Sequence, residues 1–201
     1  MVFRHCEQSE AIRKIKKPGL LLLFFIFIYS CSSDYLPKPR AYFHIDLPEP
    51  VYRSVLSFPF DFSISDQARI ENRRDSTQKI WFNLNYPQLG AQIYFSYFSI
   101  NKETFRTVAE ESRKLAFAQV KASGIREYAF ENPLQNVYGI VYKIEGNVAS
   151  PLQFVLTDSV RSFFRGALYF NTEPNRDSIA PVLAYINNDI QILIESFRWK
   201  R

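Results

Sequence analysis

Cysteine is nearly absent from this chain: 201 residues contain Cys6 and Cys31, and none follows position 31. Everything beyond that point lacks the means for an intramolecular disulfide. Histidine is equally scarce, with His5 near the start and His44 as the single one after it. Zinc sites and Ser–His–Asp or Cys–His catalytic sets need more than one such residue. His44 stands in a proline-rich stretch and reads as a surface residue rather than a ligand. Glycine numbers only six, and no G-x-S-x-G, H-E-x-x-H or phosphate-cradling loop is present. Charge of one sign is also lacking once the N-terminus is set apart. Residues 1–30 hold five Lys/Arg and two Glu, which leaves 20 basic and 18 acidic residues and a net charge of +2 for 31–201. A domain so close to neutrality carries no electrostatic footprint for nucleic acid. No cofactor or metal is expected, and no catalytic residue is assigned. Paired carboxylates meet in space rather than in sequence, so an envelope hydrolase would need two facing acids in a cleft. Asp61 and Asp66 are candidates by type, but they read as solvated charge beside a strand and its turn.

What is present in excess is aromatic surface: 19 Phe, 12 Tyr and 2 Trp. That content favours a β-rich chain with a packed core. The length suits one domain with a leader and a tail. Arg13, Lys14, Lys16 and Lys17 form a positive region, and Leu20 to Tyr29 (LLLLFFIFIY) an unbroken apolar run. Ten residues span about 15 Å as a helix, roughly half the hydrocarbon thickness of a bilayer. The run is too short for a permanent membrane span and fits a signal peptide over 1–30. Ile28-Tyr29-Ser30-Cys31 resembles the bacterial lipobox, with an aliphatic residue at −3, a small one at −1 and then the acylated cysteine. Tyr29 at −2 departs from the usual small residue there. Cys31 is therefore read as a lipid-attachment site, carrying acyl chains such as palmitate, rather than a small residue beside an ordinary cleavage point. At about 0.8 kcal/mol per buried methylene, one chain binds marginally, and two or three anchor the protein stably.

Residues 31–50 follow as a tether with Pro37, Pro39, Pro48 and Pro50. Proline holds its predecessor in extended backbone, so polyproline-like stretches are expected. Its second half also carries Tyr42, Phe43, Ile45 and Leu47, too apolar for a solvated linker. From residue 51 to 201 a single domain is expected. Period-two alternation marks strands over 58–64, 79–86 and 91–98, and then the period changes. Asn101 reads as an N-cap, with Phe105, Val108, Ala109, Leu115, Ala116 and Val120 on one helical face and Gly124 as the stop. Strands resume at 127–130, 137–145, 152–157 and 163–170, with Gly146-Asn147 as a tight connection. Asp177-Ser178 then caps a second helix, with Pro181 in its first turn and Leu183, Ile186, Ile190, Leu193, Ile194 and Phe197 on its apolar face. Strands in runs with two helices predict an α+β fold, a single antiparallel sheet with both helices packed on it. The order is similar to that of the PsbP-like fold of photosystem proteins, a likeness of fold that implies no function.

Two stretches carry a more specific likeness. Tyr35-x-Pro37-Lys38-Pro39-Arg40-x-Tyr42-Phe43-x-Ile45-Asp46-Leu47-Pro48, just after the cysteine, resembles the opening of the gliding motility lipoprotein D family (GldD-like) of Bacteroidetes. Asp177-Ser178-Ile179-Ala180-Pro181 and Ile194-Glu195-Ser196-Phe197-Arg198-Trp199-Lys200 are similar to the family's ending. Ala41 and His44 stand where the family pattern has Gly and Arg. The resemblance implies a non-enzymatic envelope lipoprotein required for gliding motility and the associated type IX protein secretion. Its partners would be membrane lipid, through acylated Cys31, and other envelope proteins of that machinery. With a single acid, Asp34, after Ser32-Ser33, the expected placement is the outer membrane facing the periplasm. Arg40, Tyr42, Phe43 and Asp46 are the candidate docking residues; the same stretch could instead close the domain's own sheet edge. The alternative function is a lipid-anchored binding module for a small ligand or cell-wall glycan, for which Trp81, Tyr94 or Tyr97 should line a cavity.

Overall fold

The computed structural model describes residues 47–76, 79–172 and 175–200. Cys31, the leader over 1–30, and the tether residues Arg40, Tyr42, Phe43, His44 and Asp46 lie outside the described residues. Wherever apolar residues alternate, one pleat face is buried and a strand forms. The pattern gives β2 (Phe60–Ser65), β4 (Lys79–Tyr86) and β5 (Ala91–Ser99), then β7 (Val137–Gly146), β8 (Leu152–Thr157) and β9 (Ser162–Phe170). Three strands carry little such signal: β1 (Tyr52–Val55), β3 (Arg69–Asp75) and the two-residue β10 (Arg198–Trp199). β6 (Ala122–Asn132) is far longer than the 127–130 expected. The fold is α+β with antiparallel pairing throughout.

The expectation of one sheet is corrected. A seven-stranded sheet runs in the order β3-β4-β5-β9-β8-β7-β6, and a separate three-stranded sheet in the order β1-β2-β10. The chain leaves the small sheet at Asp66-Gln67, where Ser65 accepts from Ala68 through its carbonyl and from Gln67 through its hydroxyl. Ser54 and Ser63 pair on one side of β2, while Trp199 and Phe60 pair on the other. Both edges of β2 are thereby filled by segments remote from β3. Its inward residues Phe60, Phe62 and Ile64 then pack against the large sheet instead of joining it.

Helix α1 (Lys102–Phe117) begins as expected. Asn101 Oδ1 accepts from the backbone N–H groups of Glu103 and Thr104 at 3.0 and 2.8 Å, and Thr104 Oγ1 accepts from Asn101 N–H at 3.0 Å. It ends earlier than expected. Val120 is 99% exposed and outside the helix, and Gly124 lies within β6 at a register shift, so neither extends nor stops α1. Helix α2 (Arg176–Ser196) is capped by Asn175, not by Asp177-Ser178. Pro181 accordingly stands inside the helix, beyond its first turn. Gly146 turns the chain with a φ of 106°, which a side chain would strain. The link it opens runs through residues 147–151 rather than a two-residue turn.

The two faces of the large sheet receive different cover. One is buried by β2, α2 and Phe197, around Phe82, Phe95, Phe154 and Phe164. There the rings of Phe95 and Phe164 stack at 5.1 Å and those of Phe82 and Phe95 lie 4.8 Å apart. Such pairs add about 0.5–1.5 kcal/mol each beyond their burial. The other face meets α1 across Ile140, Tyr142, Ile144, Val155 and Phe163. Helix α1 covers only that part. The rest of the face, on β4, β5 and β9, is open.

Candidate functional site

Register builds the open face as rows of side chains. Arg74 of β3 pairs with Trp81, Trp81 with Ser96, and Ser96 with Arg165. The next row runs from Asn83 through Tyr94 and Ala167 to Gln153. A groove of about 500 Å³ lies over these rows, lined by Tyr94, Ser96, Arg165, Ala167, Tyr169 and the end of β9. Its aromatic wall is the Tyr94–Tyr169 pair, edge to face at 5.4 Å. A second hollow, of about 540 Å³, is formed by Asn72, Arg74, Trp81 and Asn83. Trp81 and Tyr94 are 39% and 47% exposed, although neighbouring positions on the opposite face are fully buried.

Electrostatically the floor of the groove is unusual. Arg165 Nη2 donates to Gln153 Oε1 at 2.9 Å, and no carboxylate forms an ion pair with it among the described residues. Burial pushes its guanidinium below the ordinary arginine value. Gln153 is only 2% exposed, and its Nε2 has no acceptor. A half-buried cation thus rests on a neutral amide. A guanidinium so placed can donate to an anion.

A second polar cluster lies on the opposite side of the sheet, at α2. Asp189 is buried, accepting at Oδ1 from the Tyr52 hydroxyl at 2.8 Å. Oδ2 has no aligned donor, although the hydroxyls of Tyr86 and Ser65 stand close enough to favour the charged form. Burial prevails and raises the Asp189 carboxyl above its ordinary value. Burial and then the Asp189 hydrogen bond push the Tyr52 phenol up to about 12. Burial raises the Tyr86 phenol as well. This cluster ties β1, β4 and α2 together.

The structure separates the residues that the sequence grouped. Trp81 and Tyr94 face the open grooves, whereas Tyr97 points to the core side, 5.3 Å from the Phe60 ring. Asp61 lies 2.8 Å from Lys200 Nζ, and Asp66 lies 3.4 Å from Arg53. Each acid is taken up by its own cation. Among the described residues no group of three His, Cys, Asp or Glu converges as a metal site. Arg165, Gln153, Asp189 and Tyr52 were not singled out from sequence. Two of them left a trace: Asp189 falls three residues after Ile186 and four before Leu193, on the apolar stripe of α2. Arg165 interrupts an otherwise apolar strand.

The C-terminal stretch is architectural. Phe197 is fully buried, Trp199 meets it edge to face at 4.7 Å, and the Trp199 Nε1–H donates to the Asn136 carbonyl at 3.2 Å. Lys200 N–H donates to the Pro59 carbonyl at 3.0 Å, so the chain's end is sewn to β2. The family model for gliding motility lipoprotein GldD matches residues 32–199, from just after Cys31 to this clamp. The chain belongs to the GldD family. No curated protein matches it. Membership of the GldD family carries a role in gliding motility and, for a lipoprotein, association with the cell envelope. Among the described residues no helix is long and apolar enough to cross a membrane. The GldD features legible at the C-terminus therefore hold the fold, and the open face is where this member has chemistry to spare.

Proposed function

We propose that this GldD-family protein is a non-catalytic scaffold or assembly subunit, anchored through acylated Cys31 to the outer membrane and facing the periplasm, and required for gliding motility and the associated type IX secretion. The observation that carries this reading is the family match over residues 32–199, which begins at the first residue after the cysteine. The sequence supports the anchor: a short apolar run ends at Ser30-Cys31, and the thiol has no cysteine partner further along the chain. The tether residues Arg40, Tyr42, Phe43 and Asp46 dock the machinery's other envelope proteins. A PsbP-like layout, with helices on an antiparallel sheet, is the proposed fold relationship.

Cys31→Ala tests the anchor. The protein should leave the membrane fraction, lose incorporation of labelled palmitate, and fail to restore gliding in a strain lacking the wild-type chain. Retention in the membrane without label would refute lipid anchoring. Tyr42→Ala combined with Phe43→Ala tests the docking role. Thermal unfolding should be unchanged while co-purification with secretion or motility components is lost; a large drop in stability would assign these residues to the domain's own closure. A second reading, a binding module for a small ligand or cell-wall glycan, draws on the Tyr94 groove of about 500 Å³. Recovery of the protein from membranes with bound glycan and no protein partner would favour it.

A further inference from the structure

We propose that the groove over Arg165 docks a protein partner that presents an acidic side chain to the guanidinium. An arginine drawn out of water needs an anion, and without one its burial is unfavourable. Arg165 has a neutral amide in that place. The nearest structural candidate, Glu111 of α1, lines an adjoining hollow of about 320 Å³ yet makes no ion pair with it. Gln153 is buried on the same face and holds one side of the guanidinium, so Arg165 itself is the donor that lines the groove. A guanidinium, with its planar set of N–H donors, is matched by a carboxylate.

The surroundings decide what bears that carboxylate. Arg74 and Lys79 lie on the same face and have no ion-pair partner among the described residues. The acid at its edge, Glu71, already accepts from Asn85 Nδ2 at 3.3 Å. The face is thus cationic and asks for a complementary surface. Trp81, Tyr94, Tyr169 and Arg165 are the residue types that anchor protein interfaces, with rigid rings and a planar donor set. The β4-β5-β9 surface holds them in fixed register, so little order is lost on docking. This inference rests on the scaffold reading above and adds a second contact surface to it.

The test uses the full lipidated chain in its native membrane, with the photo-crosslinker p-benzoylphenylalanine at Asn83 beside the groove. A defined protein adduct is expected, reduced at least tenfold by Arg165→Glu. Changing the mapped acid of the partner to Arg should restore it in the Arg165→Glu background. No adduct, a glycan or lipid adduct, or an adduct indifferent to Arg165→Glu overturns the proposal. Arg165→Met provides a check that needs no partner. Removing an uncompensated cation should leave the melting temperature unchanged or higher, and a fall of more than about 5 °C would make Arg165 structural and overturn the proposal. If the Tyr42/Phe43 variant dissolves complexes while Arg165→Glu leaves the adduct intact, the scaffold reading stands and this groove fails.

Discussion

The Tyr52 hydroxyl donates to Asp189 Oδ1 across 2.8 Å, so the first strand of the small sheet is tied to the middle of α2 at a carboxylate only 3% exposed. The two residues are 137 positions apart. This contact, with the hydroxyls of Tyr86 and Ser65 nearby, gives the aromatic core one polar anchor point, and burial there raises the carboxyl above its ordinary value. A raised value means that folding favours the protonated acid. Its contribution is fully present below the ordinary carboxylate value of 3.8 and is lost as pH rises through the folded-state value.

Asp189→Asn keeps an acceptor for Tyr52 and cannot ionise. Relative to wild type it should therefore gain stability as pH rises from 3 to 8. Urea unfolding midpoints at both pH values measure the gap. A gap that widens instead in favour of wild type toward pH 8 would mean that the three hydroxyls stabilise the anion more than burial opposes it. Tyr52→Phe should cost about 1–3 kcal/mol at neutral pH, since it strands a buried acceptor.

Phe197 lies 5.2 Å from the Phe60 ring and 5.1 Å from that of Phe164, at the junction of the small sheet, α2 and the large sheet. Phe197→Ala should lower stability by about 3–5 kcal/mol by leaving a cavity. Trp199→Phe keeps a ring against Phe197 but removes the hydrogen bond to Asn136, a loss of about 1 kcal/mol. Chemical denaturation of both variants distinguishes packing from the hydrogen bond. Equal losses would show that the clamp is held by the hydrogen bond.

Gly166 sits under two core rings. A Cβ placed there would be 2.4 Å from Phe154 Cε1 and 3.0 Å from Phe95 Cε1, and both rings are buried and meet edge to face at 6.1 Å. Gly166→Ala should destabilise by about 1–3 kcal/mol. Gly124→Ala is the control, because its nearest neighbour is the Glu145 carboxylate at an ordinary 3.7 Å. A melting curve for Gly166→Ala that overlays that of the control would mean that the rings can move aside.

Alternation located a strand with one buried face, and an apolar run one buried on both. Lys79–Tyr86 and Leu152–Thr157 begin and end where alternation or an apolar run places them. Asn101 was legible as a cap because its side chain answers backbone donors two and three residues away. β3 was hidden because it is a charged edge strand, RIENRRD, whose exposed side chains suppress the apolar signal. The second helix cap was misplaced by two residues because Asn175, Asp177 and Ser178 are all capping types.

The sequence by itself determined the α+β class, the capped helix and the family, since each rests on neighbours along the chain or on a short run of residue types. Tertiary structure decided that β2 leaves the large sheet, because its partners come from residues 52–55 and 198–199, with no local signal linking them. It also decided that Asp189 meets Tyr52, and that Arg165 shares with Trp81 and Tyr94 a face that α1 covers only in part. Pairing register and helix placement set those encounters. They depend on how buried faces fit one another across the whole chain, and periodicity along one strand carries no record of that fit.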